Sequence, residues 1–194
     1  FLASPSLALE KAHDAVVQMG DFARDNLKLS VELIKRFDAK KLERLNETET
    51  ALDKLEGLLD NYLVKLTDRA LTSEESMKVS ELLHTLSDFE RIGDYAVNVS
   101  ESAVILHERG IAFSVQAQAE LDGLTDAVIE TMDKTMACYE TRQRYLAIQV
   151  EPLEEVVDLI ADDLKNRHVE RLKDGECTIE LGTQFLELLI NLER

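Results

Sequence analysis

The chain has no tryptophan and only two cysteines, two prolines and seven glycines among 194 residues. Cys138 and Cys177 lack metal-like spacing, and two scattered thiols suit a reducing cytosol rather than a disulfide scaffold. Basic residues are also short, with 22 Lys and Arg against 39 Asp and Glu and a net charge of −17. Binding a polyanion takes clustered Lys and Arg, so nucleic acid is excluded as a partner. No stretch approaches the roughly 20 apolar residues of a membrane-spanning helix, and no signal peptide is present. There is no Gly-rich phosphate loop, no nucleophile elbow and no Cys–His pair of suggestive spacing, so catalysis is not expected.

What remains is rich in Leu, Ala, Glu, Asp and Lys, a composition that favours helices. Apolar positions recur at helical spacing along nearly the whole chain. Ser4-Pro5 opens a first helix whose seam runs Ala8, Ala12, Ala15, Met19, Phe22, Leu29 and Leu33. A second is expected over about 44–70 on Leu45, Leu52, Leu55, Leu59, Tyr62 and Leu66. Thr72-Ser73-Glu74-Glu75 starts a third, which Gly110 closes. Ser114 caps a fourth, expected to reach about residue 147, and Pro152 is expected in the first turn of a fifth. Lys173-Asp174-Gly175 reads as a turn before a sixth on Leu181, Phe185, Leu188 and Leu192. No sustained period-two run exists, so no strand is expected. Gly20, Gly57, Gly93 and Gly123 fall inside helices, where close helix approach is the usual compensation for their low propensity. The fold class is all-α: two tandem three-helix bundles, six long antiparallel helices in pseudo-twofold arrangement.

Two acid motifs occur in the same order in each half. Glu49 and Asp53 precede Glu90 and Asp94; Glu154 and Asp158 precede Glu193. Leu86-Ser87-Asp88-Phe89-Glu90-Arg91 also has its counterpart in Leu189-Ile190-Asn191-Leu192-Glu193-Arg194. This is an internal duplication, with a first repeat at 1–110 and a second at 111–194 that stops within its last helix. Residues four apart on a helix stand one turn above each other, so each pair offers two carboxylates on one face. Acid pairs also arise from composition alone, and Asp122/Asp126 is one of those. The three full pairs, and Glu193, differ from it because each acid directly follows a core-seam residue. Like charges at i,i+4 are mildly destabilising, and placing them beside a core in corresponding positions suggests a counter-cation bound by hard oxygen donors.

Phe89-Glu90-Arg91-Ile92-Gly93-Asp94-Tyr95-Ala96-Val97-Asn98 resembles the signature of the PhoU family of bacterial phosphate-uptake regulators. The resemblance implies two three-helix repeats and metal held by Glu49, Asp53, Glu90, Asp94, Glu154, Asp158 and Glu193, the metal being Fe, Mn, Zn or Mg. Arg91 would neutralise the carboxylates without metal or form a plain surface ion pair, and Asn98 would add an oxygen ligand or bond a neighbouring helix. Phe1-Leu2-Ala3-Ser4-Pro5-Ser6-Leu7 is similar to the junction leading into the PhoU-like tail of bacterial Na+/phosphate cotransporters. The chain starts without Met and stops inside a motif, so the expectation is an excised regulatory domain on the cytoplasmic side of the inner membrane. Its partner would be a membrane transporter domain, with a second copy of the chain as a further expected partner. The alternative is a free-standing PhoU-type negative regulator of an ABC phosphate transporter and its sensor kinase. A remote alternative is a di-metal carboxylate enzyme, since Glu10-Lys11-Ala12-His13 and Glu81-Leu82-Leu83-His84 carry the Glu-x-x-His spacing. Glu81, however, lies nine residues before Glu90 and so about 180° from it around one helix. His107 and His168 are expected at helix ends or on the surface.

Overall fold

A computed structural model describes residues 4–194, so the leader call on Phe1, Leu2 and Ala3 lies outside the described residues. The architecture is all-α, with no strand among the described residues. Six helices follow one another: α1 (Pro5–Lys35), α2 (Ala39–Thr67), α3 (Ser73–Arg109), α4 (Val115–Thr141), α5 (Arg144–Lys173) and α6 (Ile179–Glu193). Their ends follow local chemistry. Pro5 sits in the first turn of α1, where its missing N–H costs nothing. Thr72 and Glu75 form a reciprocal capping box at the start of α3. The Ser114 hydroxyl accepts the Ala117 N–H at 3.2 Å to start α4. Gly110 ends α3 at φ 62°, a left-handed geometry that glycine adopts without Cβ strain.

Three boundaries differ from expectation. Helix α2 begins at Ala39, because the Asp38 carboxylate accepts the Lys40 N–H at 2.8 Å and caps it. Helix α4 stops at Thr141, where Arg142 turns into the left-handed region at φ 55°. Helix α5 therefore starts at Arg144, and Pro152 stands inside it rather than in its first turn. Proline has no N–H to give to the carbonyl four residues back, so the ladder skips one bond there.

Helix α1 lies along both α2 and α3; α4 lies along α5, and α6 packs on α5 and α3. The α1–α4 and α3–α6 contacts join the two triplets. One main apolar core draws on all six helices, from Ala8, Met19 and Leu27 through Leu63, Phe89, Leu124, Met136 and Leu164 to Phe185 and Leu189. A small satellite of Leu33, Leu45 and Ala103 closes the end near the α1–α2 turn. Gly20 and Gly93 are sites of close approach. A Cβ on Gly20 would stand 2.6 Å from Met136 Sδ and 2.8 Å from Phe89 Cε2. Gly57 and Gly123 face open space, so close packing does not account for them.

Candidate metal centre

Helices α2 and α3 place the first acid set side by side. Leu45 and Leu52 bury one stripe of α2, and Phe89 and Ala96 bury one of α3. Glu49 and Asp53, and Glu90 and Asp94, flank those stripes. Gly93 makes room for the nearest of them: a Cβ there would stand 2.9 Å from Glu49 Oε2. Asn26 of α1, fully buried, donates from Nδ2 to Leu45 O at 3.2 Å and to Glu49 Oε2 at 3.3 Å. Glu49 Oε1 is buried with no hydrogen-bond partner, and so is Asn26 Oδ1. A buried unpaired carboxylate oxygen is costly, and a proton or a cation relieves it.

The electrostatics agree with the geometry. Burial, then the charges of Asp53 and Asp94, push the Glu49 carboxyl up to about 7, against a smaller opposing effect of the Asn26 hydrogen bond. Glu90 is raised by burial, then by Asp94 and Glu56. Glu56 is raised by burial, then by Asp53, Asp60 and Asp94. Glu56 therefore joins the set, although it was not among the sequence candidates. The signal was present, because it lies three residues after Asp53 on the same helix. Among the described residues, no ion pair takes Glu49, Asp53, Glu56, Glu90 or Asp94. Of the two expectations for Arg91 the surface ion pair is the one found: it engages Tyr95, and Asp88 at 3.9 Å. Asn98 donates from Nδ2 to Asn191 Oδ1 at 3.2 Å and so ties α3 to α6.

The second set is arranged differently. Glu154 and Asp158 are exposed on α5. Glu193, half-buried on α6, has Oε2 2.6 Å from Lys165 Nζ. A lysine thus supplies the positive charge beside the one partly buried acid of this set. Among the described residues, no three His, Cys, Asp or Glu side chains lie close enough together to hold a metal ion. The first set fits a hard cation in its oxygen donors, its uncompensated charge and its orphaned Glu49 oxygen; closing on one would need side-chain movement. The second set does not fit in the same way, because Glu193 already has Lys165 as a partner and Glu154 and Asp158 are exposed.

The Glu-x-x-His pairs of the enzyme alternative form no such centre either. His13 stacks on Tyr139 at 5.1 Å, and its Nε2 accepts from Arg142 Nε at 3.3 Å. His84 is exposed. His107 stacks on Phe37 in the last turn of α3. His168 corrects the expectation of a surface residue: it is 1% exposed and stacks on Phe185 at 5.0 Å. Burial, then Arg171, lowers its pKa below the ordinary 6.5.

Residues 16–103 match the family model described as the PhoU domain. A phosphate-specific transport system accessory protein PhoU homolog of Xylella fastidiosa is 23% identical over 179 residues, 92% of this chain and 75% of that protein. One from Thermotoga maritima is 20% identical, covering 88% of this chain and 73% of its own. One from Synechocystis is 24% identical, covering 92% and 89%. The crystal structure of PhoU from Pseudomonas aeruginosa superposes with a TM-score of 0.90 at 19% identity, over 98% of this chain and 90% of that one. PhoU from Streptococcus pneumoniae superposes with a TM-score of 0.84 at 18% identity, over 98% and 88%. At these identities the superpositions establish the fold.

Proposed function

The chain belongs to the PhoU family, and on that premise we propose that it is an accessory regulator of phosphate transport that works by binding rather than by catalysis. The observation that carries this reading is the match to proteins named as phosphate-transport accessory proteins along most of their length. Those relatives favour a regulator acting on a separate transporter over the regulatory tail of a Na+/phosphate cotransporter. No helix among the described residues is long and apolar enough to cross a membrane, so any contact with a transporter in this region runs through the outer faces of the bundle.

Glu49, Asp53, Glu90 and Asp94, with Glu56 beside them, are the residues that would hold a divalent cation. The cation would supply the positive charge that this set lacks. Glu49 would pass from a protonated to an ionised state as it binds, so affinity should rise with pH through the neutral range. Asn26 and Gly93 act as positioning residues: one bonds the Glu49 carboxylate and the other leaves room for it.

Two measurements test the reading separately. Labelled-phosphate uptake is followed in cells with and without the gene, across a range of internal phosphate. Uptake that no longer falls at high internal phosphate is the expected result of deletion, and identical curves sink the regulatory role. Calorimetric titration of metal-free protein with Mn2+ and Mg2+, for wild type and Asp53→Asn/Asp94→Asn, tests the cation. The double variant is expected to lose at least ten-fold in affinity, and unchanged binding rules the site out.

A further inference from the structure

Helix α5 carries a second apolar stripe that faces solvent. Tyr145, Ile148, Pro152, Val156 and Leu159 recur at three- and four-residue steps, which gathers them within an arc of roughly 80°. Ile148 is 74% exposed, Leu159 71% and Tyr145 61%. The core-facing line of the same helix, Val157, Ala161, Leu164 and His168, lies on the far side. Burial within the bundle thus does not explain the stripe. Single exposed apolar residues are ordinary, whereas an aligned row over four turns is the pattern by which a helix meets another helix.

The charges beside the row indicate what fits it. Glu151, Glu155, Asp158 and Asp162, all exposed, form a parallel row along one edge, within about 120° of the stripe's centre, and Lys165 reaches only the last of them, Asp162, at 3.4 Å. Apolar contacts flanked by a line of one charge select a partner with the opposite charge at its flanks. A second copy of this chain meeting the same face would set this acidic row against itself, on a molecule of net charge −17. An anionic membrane surface is repelled for the same reason.

We infer that the exposed face of α5 between Tyr145 and Asp162 is a docking surface for a basic amphipathic helical segment of a partner protein. Apolar residues at i, i+3, i+4 and i+7 of that segment would cover Ile148, Val156 and Leu159, and Lys or Arg beside them would meet Glu155, Asp158 and Asp162. Asp158, singled out by its spacing as a metal ligand, then serves to recognise a cationic side chain. The inference extends the regulatory reading only by naming the chemistry of the partner, and the assay below does not depend on phosphate uptake.

The probe is a fluorescein-labelled synthetic helix with Leu on one face and Lys along its flanks, added to the full-length protein and followed by anisotropy. Controls are the same residues scrambled to destroy the periodicity, and a Glu-for-Lys analogue. The patterned basic helix is expected to bind, with affinity that falls as salt rises. Ile148→Ser/Leu159→Ser should weaken it at least ten-fold without change in circular dichroism. Glu155→Gln/Asp162→Asn should weaken it and flatten the salt dependence. Leu58→Ser, at an equally exposed position on α2 (70%), should bind as wild type does. The inference is overturned if the patterned helix does not bind, if the scrambled helix binds equally well, or if Ile148→Ser/Leu159→Ser binds unchanged. It is also overturned if that variant abolishes dimerisation in sedimentation, or pelleting with phosphatidylglycerol vesicles. Those outcomes assign the face to a second copy or to a membrane.

Discussion

Glu49 and His168 are two half-buried or buried titratable groups whose stability effects run in opposite directions with pH. Glu49 titrates at about 7 in the folded chain against 4.5 as its ordinary value. Between those values the folded chain holds a proton that the unfolded chain has released. Its contribution is therefore fully present below about 4.5 and is lost as pH rises toward 7. After allowance for solvent screening at a half-buried site, the loss is about 1–2 kcal/mol. His168, whose folded pKa is lowered, contributes stability present above its ordinary 6.5 and lost as pH falls below it. In metal-free protein, Glu49→Gln is expected to be about 1–2 kcal/mol more stable than wild type at pH 8 and equal to it at pH 4.5. Urea denaturation at the two pH values measures this, and an equal difference at both would contradict the assignment. Saturating Mn2+ should abolish or reverse the gain at pH 8, because Gln is a poorer ligand than the carboxylate it replaces.

Among the helices, glycines that look alike in sequence have different surroundings. Gly20 lies where α1 meets α3 and α4, and any Cβ there strikes Met136 and the Phe89 ring. Replacing it with Ala gains up to about 1 kcal/mol of helix propensity but overpacks the crossing, which typically costs about 1–3 kcal/mol. Gly20→Ala is expected to destabilise on balance. Gly57→Ala and Gly123→Ala meet nothing within 4 Å, so each should stabilise by up to about 1 kcal/mol. Chemical denaturation of the three variants decides the matter, and a destabilised Gly57→Ala would show that the space beside α2 is occupied in solution. Gly93→Ala is a different test. It should move the Glu49 carboxylate, so its effect belongs in cation affinity more than in stability.

Across the whole molecule, the two helix triplets share one core. Met19 and Ala23 of α1, Met136 of α4, and Phe185 and Leu189 of α6 belong to a single buried cluster. The Asn98–Asn191 hydrogen bond crosses the α3–α6 seam at 3.2 Å. Neither triplet can open without exposing apolar surface on the other, and at about 25 cal/mol per Å² that coupling is strong. Thermal unfolding is expected to be one transition, with calorimetric and van't Hoff enthalpies equal. Two resolved transitions would mean that the halves are thermodynamically independent. Residues 4–110 expressed alone should be less stable than the whole chain and should bind a hydrophobic dye, since α1 and α3 would then expose their α4- and α6-facing sides.

The helices and many of their ends were legible in the chain, because capping chemistry and apolar period act within a few residues of themselves. Thr72 with Glu75, Ser114, Gly110 and the turn at Gly175 stand where local chemistry puts them. The adjacency of Glu49 and Asp53 on one helix, and of Glu90 and Asp94 on another, also follows from helical spacing alone. Which acids meet across helices was decided only by packing. Glu49 settles against Gly93 and beneath Asn26, residues 44 and 23 positions away in sequence, and no local rule relates them. The same holds for the asymmetry between the halves, since Lys165 reaches Glu193 only because α5 and α6 run antiparallel. His168 could not be recognised as buried without Phe185 stacked on it. The start of α5 eight residues before Pro152 shows the other limit, since a helix can run through a proline at the loss of one backbone bond and a proline alone does not mark a first turn.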